Sequence, residues 1–201
     1  MVLLSKIAEE ETTLIPMIKK VLITGLEPFD GDTINPTSTL LDWLNSQTFN
    51  FNLQTKLLPV SFKNAYPILL NSIEEFKPTH VILTGFAKNR TELTLERMGI
   101  NWVDARIPDN DGLCLKSQKI KEGSEDGLFT TIPIEQMLSA SLSIGCPTKI
   151  STSAGEYVCN HLLYLYLSEN RKVPGTFLHI PKAEDYEIFY QGIKAIISDL
   201  I

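Results

Sequence analysis

The sequence predicts a single-domain α/β/α sandwich built on a largely parallel, twisted central sheet. Three observations predict it. The chain has 201 residues, of which 43% are hydrophobic and 21% charged, enough to bury one sizeable core. Short β-branched runs alternate with segments of helical period, the pattern of parallel strands joined by crossover helices. No internal repeat or low-complexity linker divides the chain, so residues 17–201 read as one domain and residues 1–16 as a poorly ordered extension, with "MIKKVLITG" from Met17 running straight into the first strand.

The elements follow in order. "KVLITG" (Lys20–Gly25) reads as a buried strand. "NPTSTLLDWLN" (Asn35–Asn45) reads as a helix, with Asn35 as N-cap and Pro36 at the first helical position, where its missing N–H costs nothing. "LQTKLLPVSF" (Leu53–Phe62) is a second strand, "NAYPILLNSIEEF" (Asn64–Phe76) a helix stopped before Pro78, and "HVILTGF" (His80–Phe86) a third strand. Residues 87–130 lack a clear period and read as extended segments and long loops, the kind of stretch that often carries function. Then come a helix over Ile132–Gly145, ended by Gly145, a strand over Thr148–Ser153 and a helix over Glu156–Asn170. A strand over Gly175–Pro181 and an amphipathic closing helix over Ala183–Leu200 complete the chain.

Bulk properties exclude several functions. Net charge is −6 and the isoelectric point about 5.1, which argues against nucleic acid and anionic membranes, since phosphate neutralisation needs a basic face. No apolar run approaches the ~20 residues of a membrane span, and the N-terminus lacks the basic and long apolar regions of a secretory signal. The three cysteines, Cys114, Cys146 and Cys159, are widely spaced and form no CxxC pair. That pattern implies a reduced, cytoplasmic protein without a metal site.

Four segments hold residues able to carry chemistry. In "SAGEYVCNHLLYLYL" (Ser153–Leu167), Cys159 sits at a predicted helix start, where free N–H groups and the macrodipole favour a thiolate. A small buried core thiol fits the same stretch. His179 in "GTFLHIP" closes a strand at the carboxyl edge of the sheet, where sites form in such folds. It reads either as a base for a nucleophile or as a merely capped histidine. His161 follows Cys159 by two residues and shares no helix face with it. "TLERMGINWVDARIPDNDG" (Thr94–Gly112) offers Glu96 and Asp104 as orienters of an imidazole, and spacing does not choose between them. "GLEPFDGDTINP" (Gly25–Pro36) has a glycine between strand and helix but fits no phosphate-loop spacing. It reads instead as a turn lining a pocket, with Phe29 as an apolar wall.

Together, "VLITGLEPFDGDTINPT", "ERMGINWVDARIPDNDG", "SAGEYVCN" and "FLHIP" resemble pyroglutamyl peptidase type I (pyrrolidone-carboxylate peptidase) in order and interval, from about Lys20 to the last helix. The resemblance implies a phosphorylase/hydrolase-like sandwich and a cysteine exopeptidase that needs no cofactor or metal. The enzyme would cleave the amide bond after an N-terminal pyroglutamyl residue. The family's triad matches Cys159, His179 and Glu96, and its arginine near the site matches Arg106. The matching pocket positions are Leu26, Phe29, Phe86, Ile107, Tyr157 and Val158. The resemblance further implies N-terminally blocked peptides or small acyl-amides as partners, and a homo-oligomer, often a tetramer. The departures fall in the pocket. Leu26 stands where the family has an aromatic, Phe86 where it has a glutamine, Lys88 and Asn89 where it has two glycines, and Tyr157 where phenylalanine is common. These changes keep open a different small acyl group as substrate, or a non-catalytic binding role.

Overall fold

A computed structural model describes residues 19–200; the extension expected over 1–16 and the start at Met17 lie outside them. The main sheet has six strands in the order β2-β1-β3-β8-β4-β7. These are β1 (Lys20–Leu26), β2 (Asn52–Leu58), β3 (His80–Ala87), β4 (Leu93–Glu96), β7 (Thr148–Ser151) and β8 (Gly175–Pro181). All neighbours are parallel except β4 and β8. A second, two-stranded sheet pairs β5 (Met98–Ile100) with β6 (Gly127–Phe129).

Strand alternation distributes the core. Val21 and Ile23 of β1 point into one apolar cluster, and Leu22 points into the other, as a period of two requires. The first cluster is covered by α1 (Pro36–Asn45), α3 (Ile134–Ser143) and α5 (Glu187–Asp199), the second by α2 (Ala65–Phe76) and α4 (Val158–Glu169). The expected N-cap holds: Asn35 Oδ1 accepts from Thr37 N at 3.0 Å, with Pro36 in the first turn. Gly25 admits this helix start to β1, because a Cβ there would lie 2.6 Å from Thr37 O.

Two segments differ from expectation. The strand expected over 53–62 ends at Leu58, because Pro59 has no N–H with which to continue the ladder. The irregular middle contributes β4 to the main sheet. Its four residues, Leu93–Glu96, are all buried, so the short run carries no alternation to recognise. This strand decides the site. Running antiparallel to β8, it sets Thr94 opposite His179 and Glu96 opposite Phe177, so Glu96 and His179 become diagonal neighbours on one face.

Candidate active site

His179 is 4% exposed, and its Nδ1 lies 2.7 Å from Oε1 of fully buried Glu96. That contact commits Nδ1 to the carboxylate and leaves Nε2 to face the cleft. On the other flank of β8, Gly85 of β3 is in register with His179. A Cβ at Gly85 would meet Cys159 Sγ at 2.9 Å and the Phe177 ring at 2.7 Å. The missing side chain is therefore what lets the thiol settle on the sheet beside the imidazole. Cys159, His179, Phe29, Phe86, Arg90 and Tyr157 line one cleft of about 380 Å³. Among the described residues no hydrogen bond joins Cys159 Sγ to His179, the loose geometry usual before a substrate closes such a site.

Cys159 comes from the first turn of α4, which begins at Val158 rather than Glu156. The N-cap, Tyr157, makes no side-chain cap; its hydroxyl donates to Pro108 O at 2.8 Å instead. The first N–H groups of α4 are thus open, and that of Cys159 points at its own sulfur. Gly155, at φ 87°, turns the chain into this helix start, a backbone state that costs glycine nothing. The adjacent Asn160 anchors the far side: it accepts from Ile100 N and donates to the carbonyls of Ile100 and Trp102, each at 2.9 Å.

The electrostatics correct one expectation. Burial works against the thiolate that the helix start favours. Burial, reinforced by the Glu96 carboxylate, pushes the Cys159 thiol up to about 12, against weaker opposing pulls from Arg90 and its own N–H. Desolvation of the charged form outweighs the helix terminus here. Burial also lowers His179, against the raising effect of Glu96 and with a further lowering by Arg90. Burial alone would raise Glu96; the hydrogen bond and charge of His179, with Ser151 and Arg90, hold it below its ordinary value. These shifts all favour a neutral thiol, a neutral imidazole and a carboxylate in the resting cleft.

Arg90 is the residue that sequence reasoning missed. Its guanidinium donates to Glu96 Oε1 and Thr94 Oγ1, and to Ser153 O at 3.0 Å. It ties the carboxylate to the loop that precedes Cys159. Glu96 Oε2 is buried without a partner; the Ser151 hydroxyl, bonded at 3.1 Å to Ser153 O, lies near enough to the carboxyl to help lower it. Arg90 ends the stretch "GFAKNR" (Gly85–Arg90), but nothing in that spacing marks a contact with a strand residue six positions on.

The remaining predicted positions divide. Phe29 and Tyr157 form a tilted pair with centroids 6.0 Å apart. They line the cleft and, with Arg106, Ile107 and Asp104, a smaller adjoining cavity of about 280 Å³. Leu26, at 2% exposure, and Val158, at 0%, belong to the core and line neither cavity. Both expectations are corrected: Leu26 lies in a strand buried on both faces, and Val158 turns inward from the first position of α4. Arg106 has a side chain 82% exposed, 3.9 Å from Asp30, and stands at the rim. Asp104 bonds Ser117 Oγ at 3.0 Å and does not orient His179. Asp30, at φ 57°, and Asp32 hold Lys88 at 3.6 and 2.7 Å, closing one side of the mouth. His161 is neutral, lowered to about 4 by burial, and packs edge-on against Phe62. Among the described residues no three His, Cys, Asp or Glu side chains converge as a metal site, and no helix is long and apolar enough to cross a membrane.

Comparison with known proteins adds independent findings. Residues 19–194 match the family model of pyroglutamyl peptidase. The pyrrolidone-carboxylate peptidase of Erwinia tasmaniensis is 37% identical over 182 residues, 89% of this chain and 85% of that protein. The enzyme of the same description from Pyrococcus furiosus is 38% identical over 173 residues, 81% of this chain and 80% of that protein. The crystal structure of pyroglutamyl peptidase I from Bacillus amyloliquefaciens superposes with a TM-score of 0.86 at 28% identity, covering 90% of this chain and 96% of that one. A variant pyrrolidone carboxyl peptidase from P. furiosus gives 0.85 at 32% identity, covering 90% and 97%.

Proposed function

Because the chain belongs to the pyroglutamyl peptidase family of cysteine exopeptidases, we propose that it removes N-terminal pyroglutamate from peptides through Cys159, His179 and Glu96. The observation that carries this reading is the 2.7 Å contact between Glu96 and His179 in the cleft that also holds Cys159.

The chemistry follows from the resting charges. With the thiol pushed to about 12, the nucleophile is made on demand. The Cys159 proton moves to Nε2 of His179 as sulfur attacks the pyroglutamyl carbonyl carbon. Glu96, kept ionised, stabilises the imidazolium and fixes its tautomer. The open N–H groups at the start of α4 receive the developing oxyanion. The imidazolium then gives its proton to the leaving amine as the C–N bond breaks, leaving a thioester. Water attacks the thioester, passing a proton through His179 back to sulfur, and pyroglutamate departs. Phe29 and Tyr157 supply the apolar walls for the lactam ring, with Ile107 beside them. With Phe86 in the cleft, the lactam's polar edge is left to Asn89 and main-chain groups of Ser153–Gly155, which line it.

The same reading makes the protein a cytoplasmic homo-oligomer acting on N-terminally blocked peptides. Free Cys114, Cys146 and Cys159 suit a reducing compartment. Leu142, Ile144 and Ile188, all at least 38% exposed near α3 and α5, suit a contact between copies. Phe86 favours a second reading, in which another small acyl group is preferred. A substrate panel decides. A pyroglutamyl-anilide should turn over faster than acetyl-, prolyl- and glutaminyl-anilides, and faster turnover of a non-lactam would contradict the first reading.

A further inference from the structure

The polar side chains that line the catalytic cleft are nearly all committed elsewhere. His179 holds Glu96, and Arg90 holds Glu96, Thr94 and Ser153 O. The Tyr157 hydroxyl donates to Pro108 O at 2.8 Å, and Ser153 Oγ accepts from Gly155 N at 3.1 Å. Lys88 pairs with Asp32 at 2.7 Å, and Cys159 is the nucleophile. Asn89 remains. It lines the cleft and is exposed, and among the described residues nothing bonds its carboxamide.

The turn that carries Asn89 is tied down on both sides. Arg90 N donates to Ala87 O at 3.0 Å, which closes a β-turn with Lys88 and Asn89 at its central positions. Lys88 fixes one flank. Its ammonium reaches Asp32 at 2.7 Å and Asp30 at 3.6 Å, and stands 5.3 Å from the centroid of the Phe29 ring. Arg90 fixes the other flank through Ser153 O at 3.0 Å. A partly exposed ion pair such as Lys88–Asp32 adds little stability; what it fixes is position. The Asn89 amide is thereby set in place relative to Phe29, the apolar wall, and to the loop that precedes Cys159.

The chemistry of a lactam matches that amide. A five-membered lactam locks its amide cis, so its N–H and C=O lie side by side at one edge of the ring. A carboxamide offers an acceptor and a donor side by side in the same way, and the two can close a ring of two hydrogen bonds. A cyclic acyl group that lacks this edge leaves the carboxamide unmatched. Resting on the peptidase reading, we propose that Asn89 selects the pyroglutamyl group by pairing edge to edge with its lactam, and that Lys88 is the positioning residue that holds Asn89 there through Asp32 and Phe29.

The test measures turnover of a pyroglutamyl-anilide beside the rate at which methyl methanethiosulfonate, a small reagent with no amide, modifies Cys159. Asn89→Ala should lower kcat/KM by about 10- to 100-fold, with Cys159 modified at the wild-type rate. Asn89→Asp keeps the shape but sets a carboxylate against the lactam carbonyl, and should lose at least as much. Lys88→Met should raise KM several-fold with kcat within about twofold, the mark of lost binding rather than lost chemistry, and Lys88→Arg should restore KM. Wild-type turnover in Asn89→Ala or Asn89→Asp overturns the pairing and leaves the peptidase standing. Modification of Cys159 that slows along with turnover reduces Asn89 to a prop of the cleft and overturns it too. A wild-type KM in Lys88→Met overturns the positioning role. No turnover by the folded wild-type protein overturns the peptidase reading itself.

Discussion

At the scale of single residues, the account turns on how Arg90 and Glu96 set the charge of the cleft. Arg90 lowers His179, Glu96 and the Cys159 thiol together. A base lowered by its surroundings stays neutral, and so able to accept the thiol proton, down to a lower pH. Removing the guanidinium raises His179, so the acid limb of kcat/KM in Arg90→Gln should move to higher pH. Its kcat should also fall by roughly 10- to 100-fold, because Glu96 and the loop at Ser153 lose their anchor. Arg90→Lys, which keeps the charge, should hold the limb nearer its wild-type position. An acid limb unmoved in Arg90→Gln would reduce Arg90 to a structural tie. Sequence alone brought Cys159 and His179 forward as candidates because strand ends and helix starts are readable. Spacing did not separate Glu96 from Asp104; only the family resemblance selected Glu96. That choice depends on which carboxylate lies diagonal to His179 across an antiparallel pair, a long-range fact with no local period. The thiol's state stayed open at the sequence level, where both the helix start and a buried core thiol fitted the stretch; how far burial weighs against the helix start depends on packing that the sequence does not display.

At the scale of elements, the site is a junction of three strands and one helix start. β4, β8 and β3 lie side by side and present Glu96, His179 and Gly85, while α4 lowers Cys159 onto the last of these. Gly85→Ala tests the junction. The new methyl would press Phe177 and Sγ at 2.7 and 2.9 Å; Phe177 is fully buried and cannot yield, and Sγ yields by moving off the sheet into the cleft. Overpacking of this kind costs about 1–3 kcal/mol, and an ångström's displacement of a nucleophile costs about 100-fold in rate. The variant should therefore remain folded with a lowered Tm and lose about 100-fold or more in kcat/KM. A variant of wild-type activity would separate Cys159 from Gly85. The helices and parallel strands were legible from caps, prolines and apolar runs; β4 was not, because four buried residues inside a long loop show neither length nor alternation.

At the scale of the whole molecule, residues 19–194 carry the family match and the sheet carries the cleft at the carboxyl ends of β3 and β8, where an open α/β fold leaves space for a ligand. The fold class was readable from alternation alone; the shape of the cleft was not, since cavity shape is what remains after every side chain has packed. The central claim is that Cys159, activated by His179, attacks the carbonyl of an N-terminal pyroglutamyl group. The most direct measurement is release of the fluorophore from a pyroglutamyl-anilide reporter under reducing conditions, with wild-type protein and Cys159→Ala side by side. The account predicts steady release by the wild type and none above the uncatalysed rate by Cys159→Ala. No release by folded wild-type protein, or equal release by both, would contradict it.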